Sequence, residues 1–94
     1  MSRLLNSVEI QASLQQLATG WDLQDNVIQR QCKFKDFIAA VEFVNQLVEP
    51  AEQAGHHPDL TISYNRVGVS LTTHDAGGLT QKDFDLAQQI DRLL

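Results

Sequence analysis

Apolar positions along residues 6–17 recur at the spacing of a helix, with Ile10, Leu14 and Leu17 on one face. Asn6 is placed to cap it, Glu9 stands three residues on as in a capping box, and Leu5 and Ile10 have the spacing of a hydrophobic staple. Gly20 is the expected stop. The next stretch, "GWDLQDNVIQRQCKF", alternates with period two and reads as two short strands around a turn at Gln24 to Asn26. In the second strand Ile28, Cys32 and Phe34 share a face with Arg30, opposite Gln29, Gln31 and Lys33. A guanidinium on the apolar side requires a partner or a sheet edge.

The helical period returns after Asp36, a cap residue, and carries Phe37, Ile38, Val41, Val44, Leu47 and Val48. Ala40 and Phe43 widen this stripe beyond one sheet face, so that either part of the helix meets another subunit or a single phenylalanine is exposed. Pro50 cannot donate back to Gln46, which predicts a kink or a break, with "AEQAG" adding one turn before Gly55 ends the helix. "DLTISY" and "VGVSL" alternate again and predict a hairpin around Asn65 and Arg66. "THDAGG" follows as a loop. A last helix opens at Thr80, with Asp83 three residues on, Leu79 and Phe84 as a staple, and Ala87, Ile90 and Leu94 facing inward. The order α-β-β-α-β-β-α with short hairpins predicts an α+β fold, a four-stranded antiparallel sheet with three helices packed on one face.

Composition narrows the classes of function. At 94 residues, 43% hydrophobic and 20% charged, the chain reads as a single folded domain over residues 1–94 with a modest core. Twelve acidic residues against seven basic ones give a net charge of -5, a field that repels phosphate backbones and anionic lipid. Direct nucleic-acid binding is not expected. No apolar run approaches about 18 residues, and "MSRLLNSVEI" has neither a signal-peptide core nor a presequence, so a cytoplasmic protein with no membrane association is expected. Cys32, the one cysteine, alternates with apolar residues and reads as a small buried hydrophobe, with no activating base beside it.

Two of the three histidines are adjacent, in "AGHHPDL", where the long helix gives way to the hairpin, and His74 follows the hairpin's return. The two ends of a hairpin lie side by side, so His56, His57 and His74 can converge. Three imidazoles form a known zinc set, but neighbours in extended chain point to opposite sides, no i, i+4 helical pair is present, and the cysteine is remote. No metal is expected. Proton transfer asks less of the geometry, because an imidazole with an ordinary pKa of about 6.5 both takes and gives a proton near neutrality. Glu52, one turn before His56, is placed to orient an imidazole. A structural His-His-Pro loop, with Asp83 serving only as a cap, stays open as the alternative. Nothing of the G-x-S-x-G type marks a serine nucleophile.

The run "EQAGHHPDLTISYNRVGVSLTTHDAGGLTQKD", which carries Glu52, His56, His57, Pro58, Tyr64, His74 and Asp83, resembles the signature of the pterin-4a-carbinolamine dehydratase family. Gly20 and Trp21, "FKDF" at 34–37 and "YNRV" at 64–67 are similar to family features as well, so the likeness spans nearly the whole chain. The resemblance implies loss of water from 4a-hydroxytetrahydropterin to give quinonoid dihydropterin. That step recycles the tetrahydrobiopterin of aromatic amino-acid hydroxylases and uses no metal or organic cofactor. The resemblance also implies His56 and His74 as acid and base, in either order, and His57 as the residue that holds and polarises the pterin. Thr72, Thr73 and Asp75 would contact the pterin, Trp21 would form part of the pocket wall, and Glu52, Asp83 and Pro58 would support the histidines. Further copies of the chain are the implied partners, as a homodimer through strand pairing or a homotetramer through a bundle of the long helix. Other family members resemble transcription cofactors or assembly chaperones, which makes a non-catalytic binding module the second reading. Possession of all three histidines favours the enzyme.

Overall fold

The structure is a computed structural model that describes residues 3–94; Met1 and Ser2, part of the expected domain, lie outside the described residues. Helix α1 (Ser7–Gln15) starts as its sequence dictates: Asn6 Oδ1 accepts from the Glu9 N–H at 2.8 Å, and the Glu9 carboxylate accepts from the Asn6 N–H at 2.9 Å. The helix stops before Gly20, with Gln16 as its C-cap. Gly20 has a different task. Its φ of 119° carries the chain past the Arg30 guanidinium, where a Cβ would stand 3.3 Å from Nε.

A hairpin of β1 (Asp22–Gln24) and β2 (Val27–Lys33) leads into α2 (Phe37–Ala54). A second hairpin, β3 (Asp59–Ser63) and β4 (Arg66–Leu71), is followed by a single 3-10 turn at His74–Ala76 and by α3 (Gln81–Leu93). The strands form one antiparallel sheet in the order β1-β2-β4-β3. This is the expected α+β architecture and element order. The second hairpin turns one residue earlier than expected, at Tyr64 and Asn65, with Tyr64 at φ 52° and Arg66 already in β4. "THDAGG" is also more than loop, since the 3-10 turn lies within it and a bridge joins Thr73 to Gly78.

Period-two alternation sorts the sheet into two faces. Ile28 opposite Leu71 and Cys32 opposite Val67 are buried on one, together with Val69. Against them pack Ala40, Phe43 and Leu47 of α2 and Phe84, Ala87 and Ile90 of α3, with Leu5, Ile10, Leu14 and Leu17 at the margin. Leu94, expected inside, is 49% exposed. The inward stripe of α2 also differs from the expected one. Ala40, Phe43, Leu47 and Ala51 are buried, whereas Phe37, Ile38 and Val48 are 51%, 68% and 57% exposed. Apolar residues flank both sides of this helix, so the 3.6-residue period alone does not select the stripe. Nor does Pro50 break it. The helix continues to Ala54, because a proline removes one backbone bond while the packed turns on either side keep theirs.

Arg30, the cation on the apolar face, finds its partner in α3. Its Nη1 lies 2.7 Å from Asp91 Oδ1, which also accepts from Trp21 Nε1 at 2.8 Å, while Oδ2 accepts from the Ala18 N–H at 2.9 Å. One carboxylate thereby fastens the α1–β1 connection, β2 and α3 together.

Candidate functional site

Register brings the histidines together. Asp59 pairs with Ser70, so the chain before β3 and the chain after β4 leave the sheet side by side. At that corner Gly55, His56, His57, Thr72, Thr73, His74, Asp75 and Lys82 line an open cleft of about 250 Å³. All three histidines share it, as the hairpin argument required.

His56 is held by its backbone and by its ring. Gly55 adopts φ 61° at the end of α2, and the His56 N–H bonds back to the Ala51 carbonyl at 3.1 Å, a Schellman-type closure that fixes where the side chain starts. The ring then reaches across to α3, where Nε2 lies 2.5 Å from Asp83 Oδ1. Asp83 is completely buried, and the His56 side chain is 11% exposed. The other carboxylate oxygen, Oδ2, accepts from the Thr80 N–H at 2.9 Å and from the Thr73 hydroxyl at 2.8 Å. Asp83 therefore caps α3 and binds a histidine 27 residues away, which exceeds the role that capping alone would give it.

His57 stands at the mouth of the cleft. Its Nε2 is 2.5 Å from Glu52 Oε2, and both side chains are more than half exposed, so the pair contributes little stability. Glu52 thus meets His57 and not His56, because the left-handed turn at Gly55 ends the helical relation between residues 52 and 56. His74 opens the 3-10 turn, is exposed, and makes no side-chain hydrogen bond among the described residues. Its turn is closed by the Thr73 N–H on the Gly78 carbonyl at 3.0 Å.

The remaining expected residues divide. Asp75 lines the cleft and is exposed. Thr72 and Thr73 line it too, but their hydroxyls are engaged within the protein, Thr72 on the Asn26 carbonyl at 2.7 Å and Thr73 on Asp83 and Thr80. Pro58 borders a separate apolar groove of about 190 Å³ between α2 and the edge strand β3, next to Val48 and Leu60. Trp21 is not among the residues lining the histidine cleft; its indole is bonded to Asp91. Sequence reasoning missed Lys82, a cation in the cleft, and the Thr80 hydroxyl, although both flank the capping position of Asp83. Burial pushes the Cys32 thiol up, opposed in part by the charge of Arg30, which suits an inert core residue. Among the described residues no three His, Cys, Asp or Glu side chains are grouped as a metal site, and no helix is long and apolar enough to cross a membrane.

Comparison with known proteins adds a family. A family model described as Pterin 4 alpha carbinolamine dehydratase matches residues 3–93. A protein of Cyanothece sp. whose name places it in that family is 62% identical over 93 residues, which cover 99% of this chain and 95% of the relative. A solved structure, the transcriptional coactivator/pterin dehydratase from Brucella melitensis, is similar with a TM-score of 0.92 at 36% identity, over 97% of this chain and 98% of its own. A pterin dehydratase-like protein identified as a RuBisCO assembly factor in the alpha-carboxysome has a TM-score of 0.67 at 19% identity, over 79% and 88% of the two chains. That last likeness is one of fold alone.

Proposed function

Because the chain belongs to the pterin-4-alpha-carbinolamine dehydratase family, we propose that it removes water from a 4a-hydroxytetrahydropterin to give the quinonoid dihydropterin. In that reaction the carbon–oxygen bond at C4a breaks, the hydroxyl leaves as water after gaining a proton, and a ring nitrogen loses a proton as the C=N bond forms. One group must give a proton and one must take it, with no net change. His56 and His74 are the proposed pair. His57, open to solvent and paired with Glu52, is the proposed grip on the pterin, and Asp75 adds an exposed carboxylate to the same cleft. Thr72 and Thr73, with their hydroxyls engaged elsewhere, would offer main-chain groups. The observation that carries this reading is the meeting of three imidazoles in one open cleft, one of them braced by a buried carboxylate.

The product would return to the cofactor pool of aromatic amino-acid hydroxylases. Self-association belongs to the same proposal: α2 exposes Phe37, Ile38 and Val48, Val48 also lines the groove along edge strand β3, and both features suit further copies of the chain. The test is a dehydration assay with a synthetic 4a-hydroxytetrahydropterin. Purified protein should accelerate the reaction above its spontaneous rate. No acceleration, with a stoichiometric protein partner captured instead, would favour the non-catalytic binding module.

A further inference from the structure

The bonds around Asp83 carry a consequence for the chemistry of His56. Oδ2 already receives two donors, the Thr80 N–H, which can only donate, and the Thr73 hydroxyl. Oδ1 faces His56 Nε2. A carboxylate accepts and does not donate, so the hydrogen in that contact sits on Nε2. A neutral imidazole has one N–H, which leaves the lone pair on Nδ1. Nδ1 has no hydrogen-bond partner among the described residues, and His56 lines the cleft.

We infer that Asp83, itself fixed by Thr73 and Thr80, holds His56 as the Nε2–H tautomer and so makes Nδ1 the atom that exchanges a proton with the substrate. The Thr73 hydroxyl has a single hydrogen, given to Asp83, so the Thr80 hydroxyl must donate to Thr73 across their 2.8 Å contact. The order of donors is thus Thr80 to Thr73 to Asp83. Thr73 immediately precedes His74, and the same carboxylate therefore sets the spacing between the two histidine-bearing segments. On this account Thr73 is a positioning residue through its hydroxyl, and not a side-chain contact to the pterin. The role of Nδ1 rests on the dehydratase reading; the tautomer does not.

The test uses protein labelled with nitrogen-15 in histidine and long-range proton–nitrogen NMR above about pH 8, where an ordinary imidazole is neutral. Wild-type His56 should be Nε2–H. In Asp83→Asn the carboxamide oxygen must stay with the Thr80 and Thr73 donors, which turns the NH2 group toward Nε2 and moves the ring hydrogen to Nδ1. An Nδ1–H tautomer in the wild type, or an unchanged tautomer in Asp83→Asn, would overturn the assignment. The wild-type spectrum decides the matter even if the variant does not fold. Thr73→Val should lower kcat on the order of tenfold to a hundredfold at little-changed KM, with Thr73→Ser restoring it. A rise in KM at constant kcat would return Thr73 to substrate contact. The spectrum needs no turnover, so an inactive wild type with Nε2–H His56 contradicts the dehydratase reading alone. An active wild type with Nδ1–H His56 contradicts the tautomer assignment alone.

Discussion

Helices α1 and α3 both carry, as their third residue, an acid whose carboxylate folds back on the N-cap N–H, Glu9 on Asn6 and Asp83 on Thr80, but the two carboxylates lie in opposite environments. Glu9 is at the surface and takes the Arg3 guanidinium on both oxygens, at 3.0 and 2.8 Å; those hydrogen bonds, with the Asn6 N–H, hold its carboxyl down at about 2. Asp83 has no solvent to satisfy it, so every acceptor site must find a protein donor, and the donors present are Thr73, Thr80 and His56. The same local motif is therefore a plain helix start in one place and the support of a histidine in the other. Burial is not sufficient to make the difference. Asp91, two turns further along α3 and also largely buried, takes Arg30, Trp21 and the Ala18 N–H, none of which lines the histidine cleft. What distinguishes Asp83 is a partner that can change protonation and that reaches open space.

Mutations at Asp91, Asn6 and Glu9, set against Asp83, separate fold from chemistry. Asp91→Ala should have the largest effect on stability, about 3–5 kcal/mol by urea denaturation, because it leaves the Arg30 charge enclosed without a counter-ion. The dehydration rate per folded molecule should stay that of the wild type, and a selective loss of rate would erase the contrast with Asp83. Asn6→Ala should lower stability by about 1 kcal/mol, the usual value for a lost N-cap, with no change in rate. Glu9→Gln should have the smallest effect, visible in the pH dependence of Tm. Its folded carboxyl is depressed from 4.5 to about 2, so its contribution is present above pH 4.5 and is lost as pH falls toward 2. The variant should lack that part of the acid slope, and added salt should shrink the difference, since the pair is exposed.

Much of this was legible in sequence because it is local. Both helix starts, the two hairpins and the alternation that buries Ile28 and Cys32 follow from residues within a few positions of each other. The need of Arg30 for a partner was legible too, but the partner, 61 residues away, was not. Local spacing misled where the chain leaves regular geometry: Gly55 breaks the helical offset that would have set Glu52 against His56, and Gly20 relieves a crowded approach instead of ending a helix. On α2 the abundance of apolar residues left the inward stripe undetermined until the sheet selected Ala40, Phe43, Leu47 and Ala51. Convergence of the histidines could be read from the hairpin alone. The Thr73–Thr80–Asp83 brace beneath them could not, because it depends on how the 3-10 turn meets α3.

One stopped-flow experiment tests the histidine pair most directly: wild type, His56→Ala and His74→Ala are compared on synthetic 4a-hydroxytetrahydropterin at equal concentrations of folded protein. Wild type should dehydrate it well above the spontaneous rate, and each variant should fall by about 10²–10⁴-fold, the range for a lost general acid or base. Wild-type-like turnover in either variant would contradict the assignment of the pair.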